Sequence, residues 1–558
     1  MKKILLMVHV MEALEQDFLC LHTWDMPMTV KADVIVIGGG STGTGIARDL
    51  ALRGLPPLLM EKRYLAAGAT GACHGLLHSG CRYVLADPHS STECYTENRI
   101  LRKVAASCVE ETEGMFVSLP EDGLEYQKKF LTACSQLGIP VEELSPAQAL
   151  AFEPNLSPEV IGAVKTPDAS INPFALAAEN ARAAAERGGK IMSYTRVTGL
   201  ILEGGRVKGV RALDARSGET FEAYADFVIN AAGAWSHQVV QDIGLSIPLV
   251  YSKGSILIFS RRLTETVLNR CHIPADGDII VPSETTSLFG TTSINVEELD
   301  HITVERQEVL ALRNDLVKMV PSAKAARLIR AYTGVRPLFK EKEAKDGREI
   351  SRGFVLIDHE ARDGVRGLVT IVGGKMATHR LMAEKTVDAV CQKLGVSASC
   401  TTHLEPLPSS RKHGFVSLRE RLRKIDPEKR RDGQKDPIIC ECEFITRKEV
   451  EEFVKETGAS DLDTIRAQTR VGTGPCQGTF CAYRTLGILA EMEKLEDLFP
   501  NQALKSFLER RWRGIKPVVE GDQLREEQLT EGIYAGIFNL DQDRGPTEEI
   551  SSESSDKR

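Results

Sequence analysis

Asp33-Val34-Ile35-Val36-Ile37-Gly38-Gly39-Gly40-Ser41-Thr42-Gly43 decides how this chain is read. Val34 to Ile37 is a continuous apolar, β-branched run, the pattern of a parallel strand buried on both faces. Glycines follow at once in the spacing Gly38-x-Gly40-x-x-Gly43. The first permits a tight turn, the second lets a pyrophosphate approach the backbone, and the third lets helix and strand pack closely. Thr44 to Arg53 then reads as a helix closed by Gly54. Its N-terminus offers unpaired N–H groups and the positive end of the dipole to phosphate. Pro57-Leu58-Leu59-Met60 reads as a second strand ending at Glu61, whose carboxylate is placed to accept from ribose hydroxyls. Strand, helix, strand and acid together predict a dinucleotide site.

The fingerprint alone does not separate NAD from FAD. Two later stretches favour FAD: Asn230-Ala231-Ala232-Gly233, and the strand and turn from Gly367 to Gly373-Gly374. A long cofactor lying extended through a domain needs close backbone approach at several separated places. Between them, Pro173 to Arg187 reads as a helix and 197–229 as a three-strand meander turning at Gly204-Gly205 and Ser217-Gly218. Residues 248–293 read as further antiparallel strands, and Thr303 to Val320 as a helix. The segment 368–372 reads as a strand, followed by a helix from Thr378 to Leu394.

The bulk figures bound the rest. The chain has 558 residues, 42% of them hydrophobic and 27% charged, with net charge −8. That is an ordinary globular composition for three or four folding units, and its acidity argues against nucleic acid as a partner. No apolar run reaches the roughly 20 residues of a membrane span. Thirteen cysteines are too sparse for a disulfide scaffold, so a reducing cytoplasm is expected. Residues 1–30 read as an extension, with Met26 or Met28 the expected start. The stretch 31–406 reads as the flavin unit and 407–436 as a charged linker with a short helix. A cysteine-bearing unit at 437–492, a helical segment at 493–540 and a polar, disordered tail at 541–558 complete the division.

Gly68 to Tyr83 concentrates small residues, His74, His78, Arg82 and Tyr83. The two histidines are four apart, but Gly75 stands where a zinc protease carries Glu, which argues against a metal there. Arg82, Arg336, Arg352, Lys375 and Arg380 all sit beside glycine turns or strand ends. Several guanidinium groups with one lysine suit a small phosphorylated substrate. Further on, Cys440-Glu441-Cys442 and Cys476-x₄-Cys481 supply four thiolates with Gly472, Gly474 and Gly478 around the second pair. This spacing suits a [2Fe–2S] cluster first and structural zinc second.

The order of these motifs resembles the FAD-dependent glycerol-3-phosphate dehydrogenases of the D-amino-acid-oxidase-like flavoproteins, and within them the anaerobic bacterial type. The carrying pieces are Gly38–Gly43, Gly68–Gly71, His74–Gly80, Arg82-Tyr83, Leu119–Asp122, Lys253–Ser255, Gly290–Ser293, Gly334–Pro337 and Gly373–Lys375. The cysteine unit is similar to bacterioferritin-associated ferredoxin-like [2Fe–2S] domains. The resemblance implies an α/β fold: a doubly wound FAD-binding domain, an inserted mixed or antiparallel substrate sheet, and a small helical cluster domain. It implies that Gly38, Gly40, Gly43, Glu61, Thr70, Gly71, His74, Val197, Gly233, Gly373, Gly374 and Lys375 hold FAD. Arg82, Tyr83, Arg336, Arg352 and Lys375 would line the site for sn-glycerol 3-phosphate. Arg336, Lys375 and His78 are the candidate catalytic groups, His78 as base. Cys440, Cys442, Cys476 and Cys481 would hold the cluster. Electrons would pass to two partner subunits, one a flavoprotein and one an iron–sulfur membrane anchor, then to menaquinone, on the cytoplasmic face of the inner membrane. Ile533, Tyr534, Ile537 and Phe538 are candidates for partner docking or, equally, for a core contact. Two alternatives stay open: a related dehydrogenase for a 2-hydroxy acid or amino acid, and a non-catalytic protein of electron transfer.

Overall fold

A computed structural model describes residues 29–300, 302–340, 353–425, 436–494 and 500–540. The expected N-terminal extension to residue 28, Arg352, Cys20, the middle of the linker and the polar tail lie outside the described residues.

The fingerprint strand spans Thr29–Ile37 and runs parallel to Leu58–Met60 on one side and Thr220–Asn230 on the other. Lys190–Met192 and Leu368–Gly373 extend this parallel sheet at either edge. Successive side chains of a strand point to opposite faces, and here each face meets a different layer. Val34 and Val36 pack against the helices Ser41–Leu52, Pro173–Ala185 and His379–Leu394 through Ile46, Leu50, Ala184, Met382 and Val387. Ile35 and Ile37 face the meander Thr195–Glu203, Arg206–Asp214 and Thr220–Asn230 through Leu200, Val207, Val210 and Phe221.

The second sheet is mixed. Its two longest strands, Leu249–Phe259 and Leu328–Phe339, pair antiparallel over their whole length, with Ser252 opposite Arg336 and Ile256 opposite Tyr332. Val267–Arg270 runs parallel to Gly114–Ser118, which makes the sheet mixed rather than purely antiparallel. The helix expected from Thr303 occupies Arg306–Met319. It starts late because Glu305 and Glu308 close a reciprocal capping box.

The cysteine unit is built from two short strands and the helices Arg447–Thr457, Leu462–Thr469 and Cys481–Glu491. Pro500–Ile515 and Gly521–Ile537 wrap it, contributing Leu504, Phe507, Leu508, Trp512 and Tyr534 to its core. The same C-terminal segment also enters the substrate-sheet core, where Ile515, Val518 and Val519 join Met115, Phe259, Phe289 and Leu316. Among the described residues, no helix is long and apolar enough to cross a membrane.

Candidate functional site

The fingerprint glycines form a cradle that side chains would fill. Gly38 stands at φ +109°, and a Cβ there would lie 2.6 Å from the Ala231 carbonyl oxygen. A Cβ on Gly43 would lie 1.9 Å from the Gly38 carbonyl oxygen. Gly40 N-caps the helix without a side-chain hydrogen bond, and the Ser41 N–H donates to Thr70 Oγ1 at 3.0 Å. Glu61 accepts from the Gly39 N–H at 2.7 Å and from the Arg63 N–H at 2.9 Å, so its carboxylate faces the fingerprint turn. Gly71 abuts the Ala66 carbonyl, with a Cβ position only 2.5 Å from it. Val197 packs at the margin of the meander core, two residues beyond Thr195, whose N–H donates to the Glu61 carbonyl at 2.8 Å. Gly233 has φ +57° and open space where a Cβ would be, while Gly373 and Gly374 have φ +77° and +71°.

Among the described residues, His74 Nδ1 and Trp235 Nε1 are buried without a hydrogen-bond partner, as are Ser79 Oγ and Ser236 Oγ in the same segments. Buried polar groups left unpaired are rare and point to a ligand or water. The Lys62 ammonium lies 3.7 Å over the Trp235 ring. The glycine cradle, the acid at the strand end and the unpaired His74 nitrogen all suit FAD.

Beside His74 lies an open cleft of about 100 Å³, walled by Ala69, Ala72, Cys73, Thr291, Gly334 and Arg336. Arg336 donates to Ser252 Oγ and the Thr292 carbonyl, each at 3.2 Å, and to Thr291 Oγ1. From there a row of rings leads on. The His74 and His78 centroids are 6.1 Å apart, those of His78 and Tyr83 5.5 Å, and Lys375 Nζ sits 4.7 Å from the Tyr83 centroid. Burial, with the charges of Arg336 and Arg82, pushes the His74 imidazole down to about 3, so it stays neutral. The fold thus gathers His74, His78, Tyr83, Arg336 and Lys375 from segments far apart in sequence.

Two arginines read from sequence with this group have carboxylate partners. Arg82 forms an ion pair with buried Asp278 at 2.7 Å. Arg380 lies in a buried network with Glu97 and Glu384, both at 2.6 Å. Ser252 and Trp235 had no role in the sequence reading, and Thr291 entered it only as part of the stretch Gly290–Ser293. Their hydroxyls and ring nitrogen acquire one only through strand pairing and the turn after Asn230.

The four cluster cysteines come together. Their thiols form one chain of contacts, Cys440 to Cys481, Cys481 to Cys476 and Cys476 to Cys442, which lowers Cys440 and Cys476 and raises Cys442 and Cys481. Among the described residues no three His, Cys, Asp or Glu side chains converge on a single ion. Four neighbouring thiols suit a two-iron cluster with two thiolates per iron. Gly474 has its Cβ position 2.3 Å from Cys442 Cβ, so only glycine lets the backbone run so close to that thiol. Buried Glu443, next to Cys442, accepts from Arg470 Nε at 3.0 Å and from Thr285 Oγ1 at 2.9 Å, tying the cluster loop to the substrate sheet. Tyr534 is buried and reaches the Thr479 carbonyl, so it is a core contact. Ile533 and Ile537 on the same helix are 47% and 71% exposed.

Comparison with known proteins agrees with this division. Residues 33–380 match the model of the FAD dependent oxidoreductases, and residues 438–491 that of the BFD-like [2Fe-2S] binding domain. The chain is 43% identical over 531 residues to the A subunit of the anaerobic glycerol-3-phosphate dehydrogenase of Escherichia coli K12, covering 92% of this chain and 98% of that one. It is 41% identical to the A1 subunit of the anaerobic glycerol-3-phosphate dehydrogenase of Haloferax volcanii, covering 92% of each. Among solved structures, the glycerol-3-phosphate dehydrogenase of Bacillus halodurans, complexed with FAD, superposes with TM-score 0.61 at 20% identity, over 88% of this chain and 96% of that one.

Proposed function

We infer the working of the site from one premise: the chain belongs to the family of anaerobic glycerol-3-phosphate dehydrogenase A subunits and is an FAD-dependent dehydrogenase with a [2Fe–2S] domain. It oxidises sn-glycerol 3-phosphate to glycerone phosphate. Bound FAD supplies the acceptor for the hydrogen leaving C2, and the cluster supplies a single-electron exit.

The observation that carries the residue assignment is that Arg336 and His74 wall one cleft and that His78, Tyr83 and Lys375 lead on from His74 in a row of contacts. Arg336, fixed by Ser252 and Thr291, presents a planar cationic fork suited to phosphate. Lys375 adds a second positive charge, held against the Tyr83 ring. His78, between His74 and Tyr83, takes the proton of the C2 hydroxyl. His74, kept neutral, uses its unpaired Nδ1 to orient the flavin rather than to move protons.

Membership of that family implies partner subunits. The exposed stripe of Leu529, Ile533 and Ile537, together with Phe480 beside Cys481, is the proposed seat of the electron-accepting partner. Through that partner the protein would sit peripherally on the membrane and deliver electrons to menaquinone.

The test is a visible spectrum of the anaerobically purified protein before and after sn-glycerol 3-phosphate. Flavin bleaching with this compound, and none with glycerol or 2-hydroxy acids, supports the substrate; a flavin that stays oxidised sinks it. Retained bleaching in both His78→Asn and Lys375→Met would sink the residue roles while leaving the reaction standing.

A further inference from the structure

Even-numbered residues of the strand Leu328–Phe339 share one face, and that face runs from the substrate cleft to the cluster loop. Arg336 and Gly334 wall the cleft. The Tyr332 hydroxyl donates to the Cys73 carbonyl, another wall residue, at 2.9 Å. Arg330, next on the same face, leaves the flavin unit altogether. Its Nη1 donates to Gln477 Oε1 at 3.5 Å and its Nη2 to the Arg510 carbonyl at 3.2 Å. Its side chain lies against Gly514, where a Cβ would come within 2.7 Å of Arg330 Cζ.

Gln477 stands between Cys476 and Cys481, is 2% exposed, and has φ +51°. Its amide donates to the Thr473 and Gly474 carbonyls at 2.9 and 3.0 Å, which closes the loop. Its oxygen receives a second guanidinium, Arg466 Nη2, at 3.4 Å. Arg466 Nε also donates to the Gly472 carbonyl at 3.3 Å, and the Cβ position of Gly472 is 3.6 Å from Cys481 Sγ. Two guanidinium groups therefore share one neutral amide oxygen. Among the described residues, neither has a carboxylate within ion-pair distance: Asp463, whose charge reaches Arg466, is ion-paired with Arg510, and Arg511 is paired with Glu527.

Desolvated charges left without a counter-ion are strongly unfavourable. A bound [2Fe–2S] cluster would supply the missing anion, because its four thiolates and bridging sulfides outweigh its irons in charge and reduction adds one more negative charge. We propose that Arg330 and Arg466 are the countercharge of the [2Fe–2S] cluster, holding its loop through Gln477 and raising its reduction potential. Arg330 is then a positioning residue that makes one strand serve both the substrate cleft and the electron exit. This rests on reading Cys440, Cys442, Cys476 and Cys481 as the cluster ligands.

The experiment compares wild type with Arg330→Met and Arg466→Met, each with and without cluster. Wild-type protein lacking iron and an iron–sulfur spectrum would overturn the cluster reading itself. Given a loaded wild type, redox titration followed by electron paramagnetic resonance reads the potential. In each variant the reduced-to-oxidised ratio at a fixed potential should fall about tenfold, which is ~59 mV for one electron, and Arg330→Lys should restore most of it. An unchanged potential in both loaded variants overturns the proposal. Thermal melting of the cluster-free proteins provides a reading even if a variant does not load. Without the anion the arginines repel, so the methionine variants should melt above cluster-free wild type. Melting below it would make the arginines neutral structural ties and overturn the proposal.

Discussion

Asp278 receives Arg82 Nη2 at 2.7 Å and His272 Nε2 at 2.8 Å, with 2% of its side chain exposed. The carboxylate is buried, yet these partners hold it below the usual carboxylate range. Removing one member of a buried pair leaves the other charge uncompensated, at about 3–5 kcal/mol. Asp278→Asn should therefore lower unfolding stability by ~3 kcal/mol in a urea titration. If Arg82 instead contributed mainly to substrate, Arg82→Gln would leave the urea midpoint unchanged and raise KM alone.

Gly43 has no room for a methyl group. A Cβ 1.9 Å from the Gly38 carbonyl oxygen forces the fingerprint turn off the helix. Gly43→Ala should cost about 3 kcal/mol and yield protein with little bound flavin, read from the absorbance ratio after gel filtration. Full flavin occupancy would mean that the turn is not the cofactor seat.

Arg336 and Lys375 should each be sensitive to substitution. Arg336 is fixed by two hydroxyls and a carbonyl, so a lysine cannot reproduce its fork. A lost charge-assisted contact of ~3 kcal/mol is a loss of roughly a hundredfold in kcat/KM. That loss is expected for both Arg336→Lys and Lys375→Met. Equal kinetics in Arg336→Lys and wild type would show that only the charge matters there.

Loss of a thiolate separates the two redox groups. Cys442→Ser should remove most iron while sn-glycerol 3-phosphate still bleaches the flavin. A variant that keeps its iron–sulfur spectrum would remove Cys442 from the ligand set.

Acid should destabilise the fold before carboxylates titrate. Burial pushes His379 down to about 4, and its Nδ1 lies 2.8 Å from the Met376 carbonyl. The unfolded imidazole takes up a proton near pH ~6.5 that the folded one refuses. Stability is therefore full above that pH and falls as pH drops toward the folded value. The urea midpoint should be lower at pH 5 than at pH 7.5, and His379→Gln should shrink the difference. Identical differences in variant and parent would remove His379 as the cause.

Much of this was legible in sequence because it is local. The fingerprint, the meander turns at Gly204-Gly205 and Gly218, and the cysteine spacing each lie within a few dozen residues. The observed meander strands end at Glu203 and Asp214, where those glycines permit positive φ. What stayed hidden depends on distant pairing. Arg380 sits beside a glycine turn in sequence, but helix packing aims it at Glu97, 283 residues away. Arg82 reads as a free cation until the substrate sheet brings Asp278 to it from 196 residues away. The tie from Arg330 to Gln477 crosses two units and has no spacing to reveal it.

The burial of Ile515, Val518 and Val519 among Met115, Phe259, Phe289 and Leu316 bears on the order in which the protein is made. A ribosome finishes the substrate sheet long before it reaches residue 515. Until those last apolar side chains emerge, that sheet has an open seam. The cluster unit lies between, so its chain must already have been synthesised when the seam is closed. The nascent flavin unit thus completes its core only after the means of draining its electrons has been translated, and a chain that stops short of residue 515 leaves the ribosome with that seam unsealed.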